Sequence, residues 1–243
     1  MPEEPFPPKP ISQIRRYELT QSPRLTPLRH LVRAVARALA RLLLKIAARV
    51  EVEGLENFPR QGPYIIVTNH LGDADAILGL AFFPHLPDAL AKIELYDELG
   101  LLGKLIHLFG VIWVRRGQPD RRALQAALES LRQGRVVAVA PEGRYSLIGG
   151  LEPGSGGAAF LALKSGAPIV PVVFIGSENE HVYGHLRRFR RVPLRMRVGK
   201  PFHLEADGTR IGQAVDRATE RIMRTLAEML PEEKRGVYSR MVE

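Results

Sequence analysis

Short β-branched runs separated by helix-length stretches constrain this chain more than any other feature. Val50 to Glu53, Pro63 to Thr68, Gly110 to Val114, Arg135 to Ala140, Ala167 to Ile175 and Leu194 to Val198 read as strands. Helical patterns lie between them: one beginning near Asp75, one over Asp88 to Leu108 with a break at Gly100 or Gly103, then Asp120 to Gln133 and Gly157 to Ser165. Ile211 to Leu230 reads as a terminal helix ended by Pro231. Strands joined by helices rather than tight turns run parallel, and such a sheet is covered on both faces. The expected fold is therefore α/β, a mainly parallel sheet covered by helices. At 243 residues and 45% apolar content, one such domain over residues 51–243 accounts for most of the chain.

Two segments precede it. Residues 1–22 carry Pro2, Pro5, Pro7, Pro8 and Pro10 and read as a disordered or extended tail that does not resemble a secretory signal. Residues 23–50 read as an amphipathic helix. Arg24, Arg29, Arg33, Arg37, Arg41, Lys45 and Arg49 fall in this region with no acid, so seven of the nine net positive charges can be assigned here. Wound at 100° per residue, Leu28, Leu31, Val32, Val35, Leu39, Leu42, Leu43, Ile46 and Val50 gather in an arc of about 120°. Three destinations fit such a helix: the interface of an anionic bilayer, the surface of the domain with a solvated basic face, or a nucleic acid backbone. The lack of interleaved aromatics and a leucine stripe that needs a dry partner argue against nucleic acid. A charge at every fourth residue also prevents the segment from reading as a membrane span.

Chemistry concentrates after the second strand, in Thr68-Asn69-His70-Leu71-Gly72-Asp73-Ala74-Asp75. A histidine at the carboxyl edge of a buried strand sits where open α/β sheets place their sites. A carboxylate on one imidazole nitrogen fixes the tautomer and leaves the other nitrogen to take a proton. Positions five apart diverge by about 140° on a helix, so His70 and Asp75 meet only if His70 lies in the loop before the helix starts. Asp73 is a rival orienter or an N-terminal cap. The chain has no cysteine, which excludes thiolate nucleophiles, disulfides and cysteine-bound metal. His181 and His185 have metal-ligand spacing but no evident third ligand, and they read as polar surface residues.

Three later segments repeat the strand-edge placement. Gly110 to Gly117 sets Arg115 and Arg116 at a strand end. Ala140-Pro141-Glu142-Gly143-Arg144-Tyr145-Ser146 follows the next strand, and Ala167 to Gly176 supplies another buried strand with Pro168 and Pro171. Guanidiniums at such edges suit a phosphate or carboxylate. In order, the segments resemble the four sequence blocks of the glycerophosphate acyltransferase family, which contains the lysophosphatidate acyltransferases. His70 and Asp75 match the HxxxxD block, preceded by the customary Asn69. Gly110 and Arg116 match the second block, with Trp113 at its aromatic position. Pro141, Glu142, Gly143 and Ser146 match the third, and Pro168 through Val172 the fourth. The third block of that family usually reads PEGTRS, whereas here Arg144 comes one place early.

The resemblance implies an O-acyltransferase that moves a fatty acyl group from an acyl thioester, on coenzyme A or acyl carrier protein, to the hydroxyl of a lysophosphatidate-type acceptor. His70 and Asp75 would be catalytic, and Asn69, Arg116, Glu142, Gly143 and Arg144 would bind substrate. Backbone amides near Gly143, or in the Gly154 to Gly157 turn, are the expected oxyanion donors. No metal or cofactor beyond the thioester co-substrate is expected. The expected partners are an anionic membrane surface, the lysophospholipid and the acyl donor, with no nucleic acid, and the expected location is peripheral at the cytoplasmic face of the cell membrane. The shifted Arg144 leaves open another lipid acceptor, and without catalysis the chain would be a lipid- or nucleic-acid-binding module. A second basic cluster, Arg187, Arg188, Arg190, Arg191, Arg195 and Arg197, reads either as a docking patch for acidic carrier, coenzyme phosphates or bilayer, or as a solvated run.

Overall fold

The computed structural model describes residues 17–115, 120–205, 208 and 210–241. In chain order the elements are α1 (Pro27–Ala47), β1 (Ala48–Glu53), β2 (Tyr64–Thr68), α2 (Asp73–Phe82), β3 (Asp88–Lys92), α3 (Leu95–Glu98), α4 (Leu101–Phe109), β4 (Ile112–Val114), α5 (Arg121–Arg132), β5 (Val136–Val139), α6 (Gly157–Ser165), β6 (Ile169–Ile175), α7 (Asn179–Leu186), β7 (Val192–Val198) and α8 (Ile211–Met229). The strands form one sheet in the order β1-β7-β6-β2-β5-β3-β4, in which only β6 and β7 pair antiparallel. The mainly parallel α/β architecture read from the sequence is the one present.

β2 lies between β5 and β6, with Ile65 opposite Val137 on one side and Ile169 on the other. Its side chains alternate between two cores. Ile65 and Val67 pack with α5, α6 and α8 through Ala127, Leu161 and Ile222, while Tyr64 and Ile66 pack toward α1 and α2 through Ala40, Leu44 and Leu78. Each fully buried aliphatic side chain contributes about 1.5–3 kcal/mol. The strand's placement, and hence that of the loop beyond Thr68, is fixed from both faces.

Four elements differ from the sequence reading. Residues Tyr17–Thr20 form a 3-10 turn with Leu19 buried beside Trp113, so the tail is docked from there, and residues 1–16 lie outside the described ones. α1 stops at Ala47 because Ala48 to Glu53 pair with β7, which places Arg49 and Val50 on a strand. Asp88 to Lys92, read as helix, is β3: Asp-Ala-Leu-Ala-Lys carries no strand signal, and its pairing with β5 and β4 decides the matter. α7 had no periodicity strong enough to announce it.

α1 is oriented in a way its periodicity does not specify. Arg33, Arg37 and Arg41, each four apart, point into the domain. Arg33 donates to the Phe109, Leu86 and Gly110 carbonyls and to Asp88 Oδ1 at 2.6 Å. Arg37 reaches the Leu80 and Phe83 carbonyls and Arg41 the Ala81 carbonyl, so they bind the last turn of α2 and the residues just past it. Cations there also oppose the negative end of the helix dipole. The leucine arc faces outward: Leu28, Leu31, Val35, Leu39, Leu42, Leu43 and Ile46 are 48–67% exposed. No described helix is long and apolar enough to cross a membrane.

Candidate active site

The chain leaves β2 at Thr68 and turns through Asn69 to Gly72 into α2, so the carboxyl end of a central parallel strand meets a helix N-terminus. Gly72 sits at that junction because the loop presses on the connection between β6 and α7. A Cβ there would lie 2.4 Å from the Ser177 carbonyl oxygen and 2.5 Å from Asn179 Oδ1. Asp75, in the first turn of α2, sends Oδ2 back to accept the Leu71 and Gly72 amides at 2.7 and 3.1 Å. The same oxygen lies 2.9 Å from His70 Nδ1. Because the carboxylate accepts, Nδ1 carries the hydrogen and Nε2 presents its lone pair. Asp75 is buried, while the His70 side chain is 23% exposed. The pair read from the sequence is assembled, with the loop-before-helix geometry its spacing required.

The third-block loop clamps this histidine from the side. Glu142 Oε1 accepts the His70 amide at 3.0 Å, and Ser146 donates its amide to the His70 carbonyl at 2.8 Å. The other Glu142 oxygen accepts the Glu152 amide at 2.9 Å. Burial pushes the Glu142 carboxyl up to about 7, against the opposing pull of those two N–H donors. With both oxygens engaged internally, Glu142 acts as a strut between loops. Gly143 takes φ +73°, a left-handed turn that glycine enters without steric cost.

Other expected residues are used differently. Asn69 is buried, donating to the Phe174 carbonyl at 2.9 Å and accepting the Phe174 amide at 2.8 Å. It extends the β2–β6 pairing. Arg144 is 57% exposed and places Nε and one terminal nitrogen on Glu152 Oε2 at 2.9 and 2.6 Å. The Leu147 amide and Arg144 together hold the Glu152 carboxyl below the usual range. Of the amide donors expected for an oxyanion, Gly143 donates to the Ala140 carbonyl, Gly154 to the Tyr238 hydroxyl and Ser155 to the Pro141 carbonyl. Arg116 lies outside the described residues. Two of the six arginines of the second basic cluster are neutralised, Arg195 by Glu51 at 2.6 Å and Arg197 by Glu53 at 2.8 Å, as their parallel register dictates. The His181 and His185 rings lie tilted against each other with centroids 4.4 Å apart, and among the described residues no three His, Asp or Glu side chains are placed to hold a metal.

Sequence reasoning passed over a tyrosine pair. Tyr145 lays its ring edge-to-face on His70, centroids 4.3 Å apart, and donates its hydroxyl to Asp73 Oδ1 at 2.7 Å. Tyr183 of α7 donates to the other Asp73 oxygen at 2.8 Å. Asp73 is therefore neither orienter nor cap but the anchor of a clasp beside the imidazole. The displaced order Arg144-Tyr145 was the available signal.

Comparisons with known proteins bear on the family and the fold. A family model described as "Acyltransferase" matches residues 49–175, more than half of the chain. The chain is similar to the 1-acyl-sn-glycerol-3-phosphate acyltransferase of Pseudomonas aeruginosa, with 29% identity over 193 residues, 77% of this chain and 72% of that protein. The human 1-acyl-sn-glycerol-3-phosphate acyltransferase alpha is 33% identical over 160 residues, 65% of this chain and 56% of the human one. The Bacillus subtilis 1-acyl-sn-glycerol-3-phosphate acyltransferase is 27% identical over 165 residues, 67% and 78% of the two chains. The crystal structure of the 1-acyl-sn-glycerophosphate (LPA) acyltransferase PlsC from Thermotoga maritima shares the fold, with a TM-score of 0.60 at 24% identity over 83% of this chain and 81% of that one. The matched span runs from β1 to the end of β6 and includes the strand, loop and helix that hold the imidazole–carboxylate pair, so this chain belongs to the acyltransferase family and is an acyltransferase enzyme.

Proposed function

We propose that the chain transfers a fatty acyl group from an acyl thioester to the hydroxyl of a lysophosphatidate-type acceptor, giving phosphatidate. The observation that carries this reading is His70, oriented through Nδ1 by Asp75 with Nε2 presented at the strand edge. Nε2 takes the acceptor's hydroxyl proton as its oxygen attacks the thioester carbonyl. The tetrahedral intermediate then collapses, the carbon–sulfur bond breaks, and the departing thiolate takes the proton from the imidazolium. Asp75, held by two amides at a helix N-terminus, stabilises that imidazolium in place. Arg116 and the terminal nitrogen of Arg144 that does not meet Glu152 are the phosphate holders in this scheme. A purified-enzyme assay that offers several lysolipids with one labelled acyl thioester tests it: diacyl product is expected from lysophosphatidate, and product only from another lysolipid overturns the acceptor assignment.

The tyrosine clasp steadies the imidazole. Tyr145→Phe keeps the ring on His70 and removes one bond to Asp73, so kcat is expected to fall about fivefold with the thioester KM unchanged. Steady-state kinetics check this; a change in KM alone would assign Tyr145 to substrate contact instead.

A water-insoluble acceptor is met at a lipid surface, and the outward leucine face of α1 suits that task. In a membrane interface those side chains leave water while the inward arginines keep their protein acceptors. Replacing Leu39 and Leu42 with Asp is expected to lower vesicle partitioning at least 100-fold in a flotation assay, with the melting temperature unchanged because both positions are exposed.

A further inference from the structure

The arginine row of α1 begins with Arg29, one turn before Arg33, and Arg29 is the member whose guanidinium has no acceptor among the described residues. Arg33, Arg37 and Arg41 all end on carbonyls or on Asp88. Arg29 instead lines a cavity of about 930 Å³, shared with Arg24, Lys104 and His107. No ion pair within the described residues neutralises Arg24, Arg29 or Lys104, and Asp97 is the one carboxylate on the wall. His107 accepts from the Trp113 indole N–H at 3.1 Å, and burial and then Arg29 hold its pKa down, so it lines the cavity as a neutral ring. Burial first, and Arg33 second, likewise lower the Arg29 pKa, with Asp88 pulling the other way.

Exposed leucines stand beside these cations along the two helices, outside the cavity lining itself. On α1, Leu28 and Leu31 flank Arg29 at 56% and 61% exposure; on α4, which packs against α1, Leu101, Leu102 and Leu105 flank Lys104 at 74%, 54% and 48%. A small soluble anion would satisfy the cations and leave these leucines in water. A molecule with a phosphate joined to apolar chains satisfies both.

The cavity is also separate from the catalytic pair. None of its lining residues belongs to β2, to the loop after it or to the third-block loop. It lies beside β4, three strand positions from β2, or about 14 Å across the sheet.

We propose that this cavity binds the phosphate-bearing headgroup of an anionic glycerophospholipid, fixing how the enzyme sits on the membrane at a site that is not the acceptor's. The inference rests on the membrane-docking reading of α1 and adds a headgroup preference to it. Two interfacial cations together contribute about 30-fold in binding.

The test uses the full chain with Arg29→Gln/Lys104→Gln, against a charge-matched control, Arg195→Gln/Arg197→Gln. Vesicles are phosphatidylcholine alone or phosphatidylcholine mixed with phosphatidylglycerol. The unaltered protein is expected to prefer the mixed vesicles. The cavity variant is expected to lose about 30-fold on these and nothing on phosphatidylcholine, while the control keeps most of its binding. Turnover of a detergent-dispersed acceptor is expected to stay within twofold in both. Equal losses in the two variants would reduce the effect to general surface charge and overturn the site. Competition separates the ligand sources: short-chain phosphatidylglycerol below its micelle concentration should displace vesicles, and displacement by inorganic phosphate at the same concentration would make this a site for free anions. If the unaltered protein binds neither vesicle, the docking reading fails; if it binds both equally, docking stands and the cavity proposal falls.

Discussion

His70→Ala is expected to lower kcat by about 10²–10⁴-fold, the range supplied by a positioned general base, while the protein stays folded. The side chain is partly exposed, and it bonds Asp75, which retains the Leu71 and Gly72 amides when the imidazole is removed. Asp75 has two roles, so its substitutions separate. Asp75→Ala removes both the orienter and the acceptor for the first amides of α2, and is expected to cost about 1–2 kcal/mol of stability besides turnover. Asp75→Asn keeps an oxygen for the amides but cannot stabilise an imidazolium, so it should lose turnover with a smaller thermal effect. Steady-state kinetics with a labelled thioester, beside thermal unfolding of the same preparations, measure both quantities. A His70→Ala protein that retains more than a tenth of the turnover would remove the imidazole from the mechanism.

Asp88→Ala is expected to be the most destabilising single change outside the hydrophobic cores. Asp88 is 1% exposed at the start of β3 and lies between two guanidiniums, Arg33 and Arg135, each 2.6 Å from one of its oxygens. Arg135 also binds Ser130 and the Pro23 carbonyl, tying residues 22–23 to the head of β5. Without the carboxylate, two buried cations face each other, and breaking a buried pair by removing one partner costs about 3–5 kcal/mol. For a chain of this size that lowers the melting temperature by roughly 6–20 °C. Arg33→Met keeps an apolar stem against Phe109 and leaves Asp88 paired with Arg135, so its effect should be smaller. Denaturant unfolding of the three proteins checks the order; a loss below about 1 kcal/mol for Asp88→Ala would show that water already reaches the cluster.

Much of the site was legible because its parts are local. Histidine, turn and carboxylate span one loop and the first turn of a helix, so chain connectivity brings them within bonding distance, and the strand before them is written in Tyr64-Ile-Ile-Val. The third-block loop was legible as a glycine turn after a strand, but its use was not. Glu142 became a strut and Arg144 an ion-pair partner because Glu152, eight to ten residues further on, folds back to meet both. Asn69 stands beside His70 in sequence, yet its amide is bound to Phe174, 105 residues away.

By itself the sequence determined the alternation of strands and helices, the parallel covered sheet that follows from it, the His70–Asp75 pair and the amphipathic character of α1. Each depends on spacing over a few residues. Only the tertiary structure decided which face of α1 turns inward. The periodicity is the same whether the leucines or the arginines face the domain, and the choice fell to acceptors supplied by residues 40 to 77 positions away: the carbonyls around the end of α2, those of Phe109 and Gly110, and Asp88. Guanidiniums that find carbonyls and a carboxylate at the protein surface can be buried, and the leucines are then left for another phase.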